Sequence, residues 1–231
     1  MIISFIGFMG CGKSSVGRRL SQLLCCRFID LDEAVEQAAG KSIPEIFASQ
    51  GEAAFRRLET QILKDILSAE HERQCAQCEV GGVNEIPMTP VCASRIHPLA
   101  GGGMSSTSHL PTASAIHAID NPDIQLQQIS ERGAAVLALG GGTVMTPECA
   151  ELVKENTLCI YLRASIETLV EHLSSEAAKR PLLAATDKSL HSRIEDLMSQ
   201  RASTYEKTAN IIIDTDGKSI EQICSEITNL I

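Results

Sequence analysis

Short apolar runs alternate along this chain with segments in which apolar residues recur every three or four positions. The short runs are typical of buried strands, and they predict strands at 2–6, 27–29, 135–139, 157–162 and 209–213. The helical spacing predicts helices at 13–24, 32–39, 43–49, 51–67, 146–154, 165–173, 189–206 and 219–229. Strands that alternate with helices favour the α/β class, with a parallel sheet covered by helices on both faces.

This pattern stops over residues 69–133. The stretch holds five of the eight prolines and three consecutive glycines, and it contains no Phe, Trp or Tyr. Because such a segment cannot easily build a core of its own, we interpret it as a loop-like insertion with low order. The rest of the chain, residues 1–231 without this insertion, is predicted to form a single domain.

A zinc site is the alternative interpretation of the insertion. Its four candidate ligands are Cys75, Cys78, Cys92 and His97. Their spacing beyond the first pair fits no standard zinc motif, so the loop interpretation is favoured.

Composition excludes several classes of protein. The formal net charge of -9 disfavours a general nucleic-acid-binding role. The odd number of cysteines, nine in 231 residues, argues against a secreted disulfide scaffold. The apolar start of the chain lacks the basic flank of a signal peptide, and no apolar run approaches the length of a membrane span. We therefore expect a cytoplasmic protein with mostly reduced thiols and neither a nucleic-acid nor a membrane partner.

A glycine-rich motif follows the first predicted strand. The residues from Gly7 to Ser14 read GFMGCGKS and fit the phosphate-binding pattern G-x-x-x-x-G-K-[ST] between a strand and a helix. Backbone N–H groups of such a loop surround a phosphate, and the N-terminus of the following helix points at the same anion. Lys13 is predicted to contact the β- and γ-phosphates of ATP or GTP, and Ser14 to bind Mg²⁺.

Two carboxylates follow the second predicted strand. Asp30 and Asp32 are predicted to lie on one side of an extended segment at the carboxyl end of that strand, where ligands of α/β sheets bind. One could help to hold Mg²⁺, and the other could accept a proton from a substrate hydroxyl. The alternative is that Asp32 only caps the next helix.

Four further features are ambiguous when each is taken alone. Arg56 could pair with Glu59 on a solvated helix face, and the glycines at 140–142 could form an ordinary turn. Arg180 lies in a polar segment, 174–188, that could be a mobile lid bringing positive charge to a transferring phosphate. Arg201 has the appearance of an ordinary arginine late in a helix, stabilised by the helix dipole.

Taken in order, the motifs resemble one family. Over residues 1–68 and 134–231 the chain resembles the shikimate kinases in six motifs, which are GFMGCGKSSVGRRL, FIDLD, FRRLE, LALGGGTV, RPLL and QRASTYEKTA. The resemblance implies a three-layer P-loop kinase fold with a five-stranded parallel sheet. It also implies Mg²⁺-dependent transfer of the γ-phosphate of ATP to the 3-hydroxyl of shikimate, a step of chorismate and aromatic amino-acid biosynthesis. We expect a monomer.

The resemblance also assigns roles to individual residues. Lys13, Asp32 and Arg180 are implied to be catalytic, and Glu59 to hold Arg56 in place. The implied nucleotide-binding residues are Gly10, Cys11, Gly12, Lys13, Ser14, Ser15 and Arg180. The implied metal-binding residues are Ser14 and, through the water shell, Asp30. The implied shikimate-binding residues are Asp32, Arg56, Gly141, Gly142 and Arg201.

The chain departs from the family pattern at Leu173. Family members often carry an arginine near the adenine at that position. Stacking of a guanidinium on the base is therefore not implied here, although an apolar side chain can still cover a base. The rival functions are a kinase for gluconate or a nucleoside monophosphate, and a nucleotide-binding protein without catalysis. The Asp-x-Asp and LALGGG motifs favour shikimate, and the presence of Lys13, Ser14, Asp32 and Arg180 argues against loss of catalysis.

Overall fold

The computed structural model describes residues 1–80, 134–174 and 189–231, with side chains described up to residue 75 in the first range. Most of the predicted insertion and nearly all of the predicted lid, including Arg180, therefore lie outside the described residues. The zinc hypothesis is untested for the same reason, because the side chains of three of its four candidate ligands lie there too.

Five parallel strands form one sheet in the order β2-β3-β1-β4-β5. The strands are β1 (Ile2–Ile6), β2 (Arg27–Asp30), β3 (Ala135–Ala138), β4 (Leu158–Arg163) and β5 (Ile211–Asp214). All four residues of β3 are buried and none is charged, as expected for a strand with a helical layer on each face. The prediction of a five-stranded parallel sheet is confirmed.

Eight α-helices surround the sheet in the described part of the chain. They are α1 (Lys13–Leu23), α2 (Leu31–Ala39), α3 (Ile43–Gln50), α4 (Glu52–Val80), α5 (Pro147–Asn156), α6 (Ile166–Leu173), α7 (Leu190–Thr208) and α8 (Ile220–Thr228). A single 3₁₀ turn, Thr143–Met145, follows β3. None of these helices is long and apolar enough to cross a membrane.

The alternation of side chains along β1 divides the core into two layers. Ile3 and Phe5 pack with apolar residues of α1, α6 and α8 on one face of the sheet. Ile2 and Ile6 pack with residues of α2, α3, α4 and α5 on the other face. Because successive residues of a strand point to opposite faces, one five-residue run serves both layers. Helices on both faces were predicted, and the prediction is confirmed.

Helix α4 continues to Val80, well beyond its predicted end at residue 67. The apolar stripe stops at Leu67, and the next position on that face is a buried carboxylate, Glu70. Glu70 accepts hydrogen bonds from Arg27, at the start of β2, and from Arg73, one turn further along α4. The prediction was wrong here because ion pairs, rather than apolar residues, hold this part of the helix against the sheet.

Candidate active site

The predicted site residues of the described chain line one cavity of about 1100 Å³ at the carboxyl edge of the sheet. This is the edge at which ligands bind in open α/β folds, because the connections that leave the strand ends there provide its walls. The cavity brings together the segments that follow β1, β2 and β3, together with one face of α4 and one face of α7. The site residues among its walls are Gly10, Cys11, Gly12, Lys13, Ser14, Ser15, Asp30, Asp32, Arg56, Gly141, Gly142 and Arg201.

The loop between β1 and α1 places a lysine ammonium at a helix N-terminus. Gly10 and Gly12 adopt positive φ angles of 80° and 92°, in the region that favours glycine, and so turn the chain into α1. Lys13 is buried, and its Nζ donates to the carbonyl oxygens of Gly7 at 3.0 Å and Phe8 at 2.8 Å. The ammonium and the start of α1 both favour an anion in this loop.

Ser14 and Asp30 meet next to this loop. Ser14 Oγ donates to Asp30 Oδ2 at 2.7 Å. Asp30 Oδ1 accepts the backbone N–H of Asp32 at 3.1 Å, so Asp30 is the cap of α2. The sequence-based alternative that Asp32 caps the helix is wrong, because β2 ends one residue later than predicted and α2 already begins at Leu31.

The oxygens of Ser14 and Asp30 suit a Mg²⁺ ion that takes most of its ligands from water and phosphate. No group of three or more His, Cys, Asp or Glu side chains is assembled for a metal within the described ranges. Mg²⁺ prefers hard oxygen ligands, keeps several waters and commonly binds through one or two protein oxygens together with substrate phosphates. A hydroxyl and a carboxylate beside a phosphate loop match that mode, whereas they do not match an all-protein cage.

Asp32 lies in the first turn of α2 rather than on an extended segment, which corrects the predicted geometry. Its Oδ1 lies close to Gly140, where a Cβ would come within 2.6 Å of the carboxylate oxygen. Burial, followed by the negative charges of Asp30 and Glu59, raises the pKa of Asp32 to about 6. A carboxylate with a pKa near neutrality is well matched to accepting a proton from a hydroxyl.

Arg56 is held on α4 by a buried partner. Its Nη1 donates to Glu59 Oε2 at 2.8 Å, and Glu59 is only 1% exposed. A Cβ at Gly142 would lie 2.5 Å from Arg56 Nη2, so only glycine leaves room for the guanidinium there. The predicted pairing of Arg56 with Glu59 is confirmed, but the pair lies at the cavity and not on a solvated face.

Arg201 is buried near the middle of α7, so its interpretation as an ordinary late-helix arginine is wrong. Its Nη1 donates to the carbonyl oxygen of Gly141 at 3.2 Å. Tyr205, one turn later on α7, donates its hydroxyl to the same carbonyl. Sequence reasoning missed Tyr205, although its position four residues after Arg201 places both side chains on one helix face.

The end of α6 contacts the phosphate loop. Leu173 is buried, and a Cβ at Gly10 would lie 2.9 Å from Leu173 Cγ. The neighbouring His172 is exposed, and its Nδ1 lies 2.8 Å from the carbonyl oxygen of Gly10. Leu173 is packed against the loop backbone and also lines the cavity, so the idea that an apolar side chain at this position can cover the base stays a prediction.

Comparison with known proteins gives a consistent family. The family model described as shikimate kinase matches residues 9–82 and 123–231. The shikimate kinase of Dictyoglomus turgidum is 30% identical over 227 residues, which cover 97% of this chain and 94% of the relative. A shikimate kinase of Thermus thermophilus is 29% identical over 225 residues, which cover 97% and 86%.

Solved structures agree with this fold. A shikimate kinase from Acinetobacter baumannii in complex with shikimate superposes with a TM-score of 0.67 and 24% identity, covering 99% of this chain and 91% of the other. A shikimate kinase from Aquifex aeolicus superposes with a TM-score of 0.61 and 25% identity, covering 98% and 94%. The chain belongs to the shikimate kinase family, the P-loop phosphotransferases that use ATP to phosphorylate shikimate.

Proposed function

We propose that this chain transfers the γ-phosphate of ATP to the 3-hydroxyl of shikimate, with the residues of the cavity in the roles that follow. The observation that supports this most is a single cavity that combines an ionisable carboxylate, Asp32, with two kinds of positive group. The ammonium of Lys13 comes from the start of α1, and the guanidinium groups of Arg56 and Arg201 come from α4 and α7.

At the nucleotide end, the backbone of residues 10–15 surrounds the phosphates and Lys13 bonds to them. Ser14 and, through the water shell, Asp30 would hold Mg²⁺, which would neutralise charge on the phosphates. Lys13 Nζ uses two of its three N–H donors on the carbonyls of Gly7 and Phe8, so the third can bond to a phosphate oxygen. Arg180, from the predicted lid, adds a second positive charge to the transferring group.

At the acceptor end, Arg56 and Arg201 bind the carboxylate of shikimate, since a guanidinium offers paired donors that match two carboxylate oxygens. The backbone of Gly141 and Gly142 lies against the same substrate. The oxygen of the 3-hydroxyl bonds to the γ-phosphorus while Asp32 accepts the proton of that hydroxyl. The bond from the γ-phosphorus to ADP breaks. A base with a pKa of about 6 is largely ionised at pH 7 and can therefore take this proton.

An assay of ADP release with a panel of acceptors tests the assignment. Purified protein with ATP and Mg²⁺ should release ADP with shikimate, and mass spectrometry should show a product heavier by one phosphate. Gluconate and nucleoside monophosphates should give no more ADP than a sample without acceptor. Preferential phosphorylation of one of those alternatives would contradict the proposal, and loss of turnover with a chelator tests the requirement for Mg²⁺.

We also propose that the enzyme acts as a monomer in the cytoplasm, without a nucleic-acid or membrane partner. The net charge of -9 opposes binding to nucleic acid. The buried cysteines Cys11, Cys149, Cys159 and Cys224 are thiols, as in a reducing compartment. Light scattering on the purified protein with and without substrates tests the oligomeric state.

A further inference from the structure

The carboxylate of Glu59 is buried and held at both of its oxygens. Oε2 accepts a hydrogen bond from Arg56 Nη1 at 2.8 Å, and Oε1 accepts one from Thr143 Oγ1 at 2.6 Å. Glu59 is 1% exposed and Thr143 is fully buried, so neither group can exchange its partner for bulk water. Arg56, Glu59 and Thr143 therefore form a chain of hydrogen bonds that ends at the cavity.

Thr143 is itself fixed by the backbone. It begins the 3₁₀ turn after the glycines that follow β3, and its N–H donates to the carbonyl oxygen of Gly140 at 3.2 Å. Thr143 Oγ1 and Glu59 Oε1 both approach Gly140, at 3.0 and 3.2 Å from the position that a Cβ would occupy. The hydroxyl is thus presented to Glu59 from a rigid turn, which limits how the carboxylate can rotate.

The orientation of Glu59 decides where Arg56 can point. The other anionic partner of Arg56, Glu52, is exposed and 3.4 Å away, so Glu59 makes the shorter and better shielded contact. A buried carboxylate that loses one of two partners is left with an unsatisfied oxygen and turns to share its remaining donor. The guanidinium would then follow the carboxylate and leave the position that suits the substrate.

We propose that Thr143 is a positioning residue that sets the affinity for the acceptor, because its hydroxyl holds Glu59 and thereby orients Arg56 toward the carboxylate of shikimate. This inference rests on the proposed function of Arg56. It assigns the effect to the hydroxyl. Serine at position 143 should therefore preserve the affinity for shikimate, whereas valine, which has nearly the same shape as threonine and no hydroxyl, should lower it.

The test compares T143V and T143S with a matched control, T208V. Thr208 is also buried, and its hydroxyl donates to the backbone carbonyl of Thr204 within α7, at 2.8 Å. We expect T143V to raise the KM and Kd for shikimate about 5- to 30-fold, as for one lost buried hydrogen bond, with the KM for ATP unchanged. The KM and Kd for shikimate of T143S and of T208V should stay within about twofold of the wild-type values.

A ligand without the carboxylate separates positioning from general damage to the site. The probe is the cyclohexene triol in which hydrogen replaces the carboxylate of shikimate, and calorimetry measures its Kd. T143V should bind this triol as weakly as the wild type does, because the missing carboxylate is the group that Arg56 would contact. Equal loss of affinity for both ligands would show a structural role and overturn the inference.

The inference is also overturned if folded T143V binds shikimate within twofold of the wild type, or if T143S is as impaired as T143V. Should T143V fail to fold, T143A removes the same hydroxyl with less steric demand and is judged by the same Kd comparison. Wild-type enzyme that does not bind shikimate would overturn the proposed function as well, whereas a normal wild type with an unaffected T143V overturns this inference alone.

Discussion

The two ends of the cavity are built in different ways. The phosphate end is a contiguous stretch in which backbone groups, shaped by glycines with positive φ, form most of the site. The acceptor end is made of side chains from α2, α4 and α7 that meet at the glycines after β3. At the phosphate end the chain path itself supplies the binding groups, whereas at the acceptor end buried partners hold each binding group in place.

This difference predicts different responses to mutation. A substitution at the phosphate end should act on the nucleotide and on the chemical step together, because the same loop binds and polarises the phosphate. A substitution at the acceptor end should separate binding from chemistry, because the contacts proposed for Arg56 and Arg201 are to the carboxylate of shikimate, which does not react. Kinetics of single variants can therefore test whether binding and chemistry are separable at one end of the cavity and coupled at the other.

The largest effect is expected for D32N. An amide cannot accept the hydroxyl proton, so kcat should fall about 10²- to 10⁴-fold, which is the usual contribution of a general base. In the wild type, kcat/KM should fall as the pH drops below about 6, because Asp32 is then protonated. Steady-state rates from pH 5 to 8 measure both effects. The control is D65N on α4, at an exposed position. A kcat of D32N within tenfold of the wild-type kcat would contradict a role of Asp32 in the chemical step.

The same substitution should stabilise the fold at neutral pH. The pKa of Asp32 is raised from 3.8 to about 6, so its carboxyl stabilises the native state below pH 3.8 and loses that contribution as the pH rises through 6. Asn carries no charge at any pH, so D32N should gain about 2–3 kcal/mol at pH 7 and almost nothing at pH 4. Denaturant unfolding at the two pH values checks this, and an equal gain at both would contradict the electrostatic cause.

K13A should have the next largest effect on catalysis. Removal of one preorganised positive group from the developing transition state costs about 10²- to 10³-fold in kcat. The KM for ATP should rise as well, because the ammonium also bonds to the Gly7 and Phe8 carbonyls that shape the loop. The exposed Lys154 on α5 supplies the control, K154A. If K13A changed only the KM for shikimate, the assignment of the two ends of the cavity would be reversed.

R56A should have a smaller effect, confined to the acceptor. Loss of one charge-assisted contact costs about 1.5–3 kcal/mol, so the KM for shikimate should rise roughly 10- to 150-fold while the KM for ATP stays unchanged. Its exposed neighbour Arg57 gives the matched control, R57A. An unchanged Kd for shikimate in R56A would show that Arg56 does not bind the carboxylate.

The smallest effect is expected from replacing residues 83–122, which the family model does not match, with a short Gly/Ser linker. The described residues on either side of this segment lie at the amino edge of the sheet, because Glu70 of α4 pairs with Arg27 at the start of β2 and β3 begins at Ala135. We therefore expect kcat and both KM values within about threefold of the wild type. A tenfold loss in a folded variant would show that the segment contributes to one end of the cavity.

Much of the fold was predictable because its signals are local. Apart from the end of α4, the predicted helix and strand boundaries lie within two residues of the observed ones, since apolar periodicity marks where each element packs. Helix α4 was predicted too short because Glu70 is buried beside a partner on a distant strand, Arg27. Apolar spacing cannot report a charge that is paired across the fold.

The same distinction between local and long-range signals applies to the site. The phosphate loop is one contiguous motif, so the place of its residues at the cavity could be predicted from spacing alone, and their individual roles stay predictions. The bonds of Arg201 and Tyr205 to Gly141 depend on how α7 packs against the turn after β3, and no local pattern contains that information. The resemblance to a family implied that Arg201 binds the substrate, and the residue does line the cavity, whereas its helical context alone indicated an ordinary late-helix arginine.

The three glycines after β3 also make a prediction about genetics. A side chain at Gly140 would collide with the Asp32 carboxylate, one at Gly141 would crowd the backbone of the phosphate loop at Met9, and one at Gly142 would displace Arg56. Adjacent positions with the same residue would thus fail for three unrelated reasons. In a saturation library, second-site suppressors of each alanine should map to a different part of the enzyme, so the pattern of suppression across three neighbouring codons would trace the layout of the cavity.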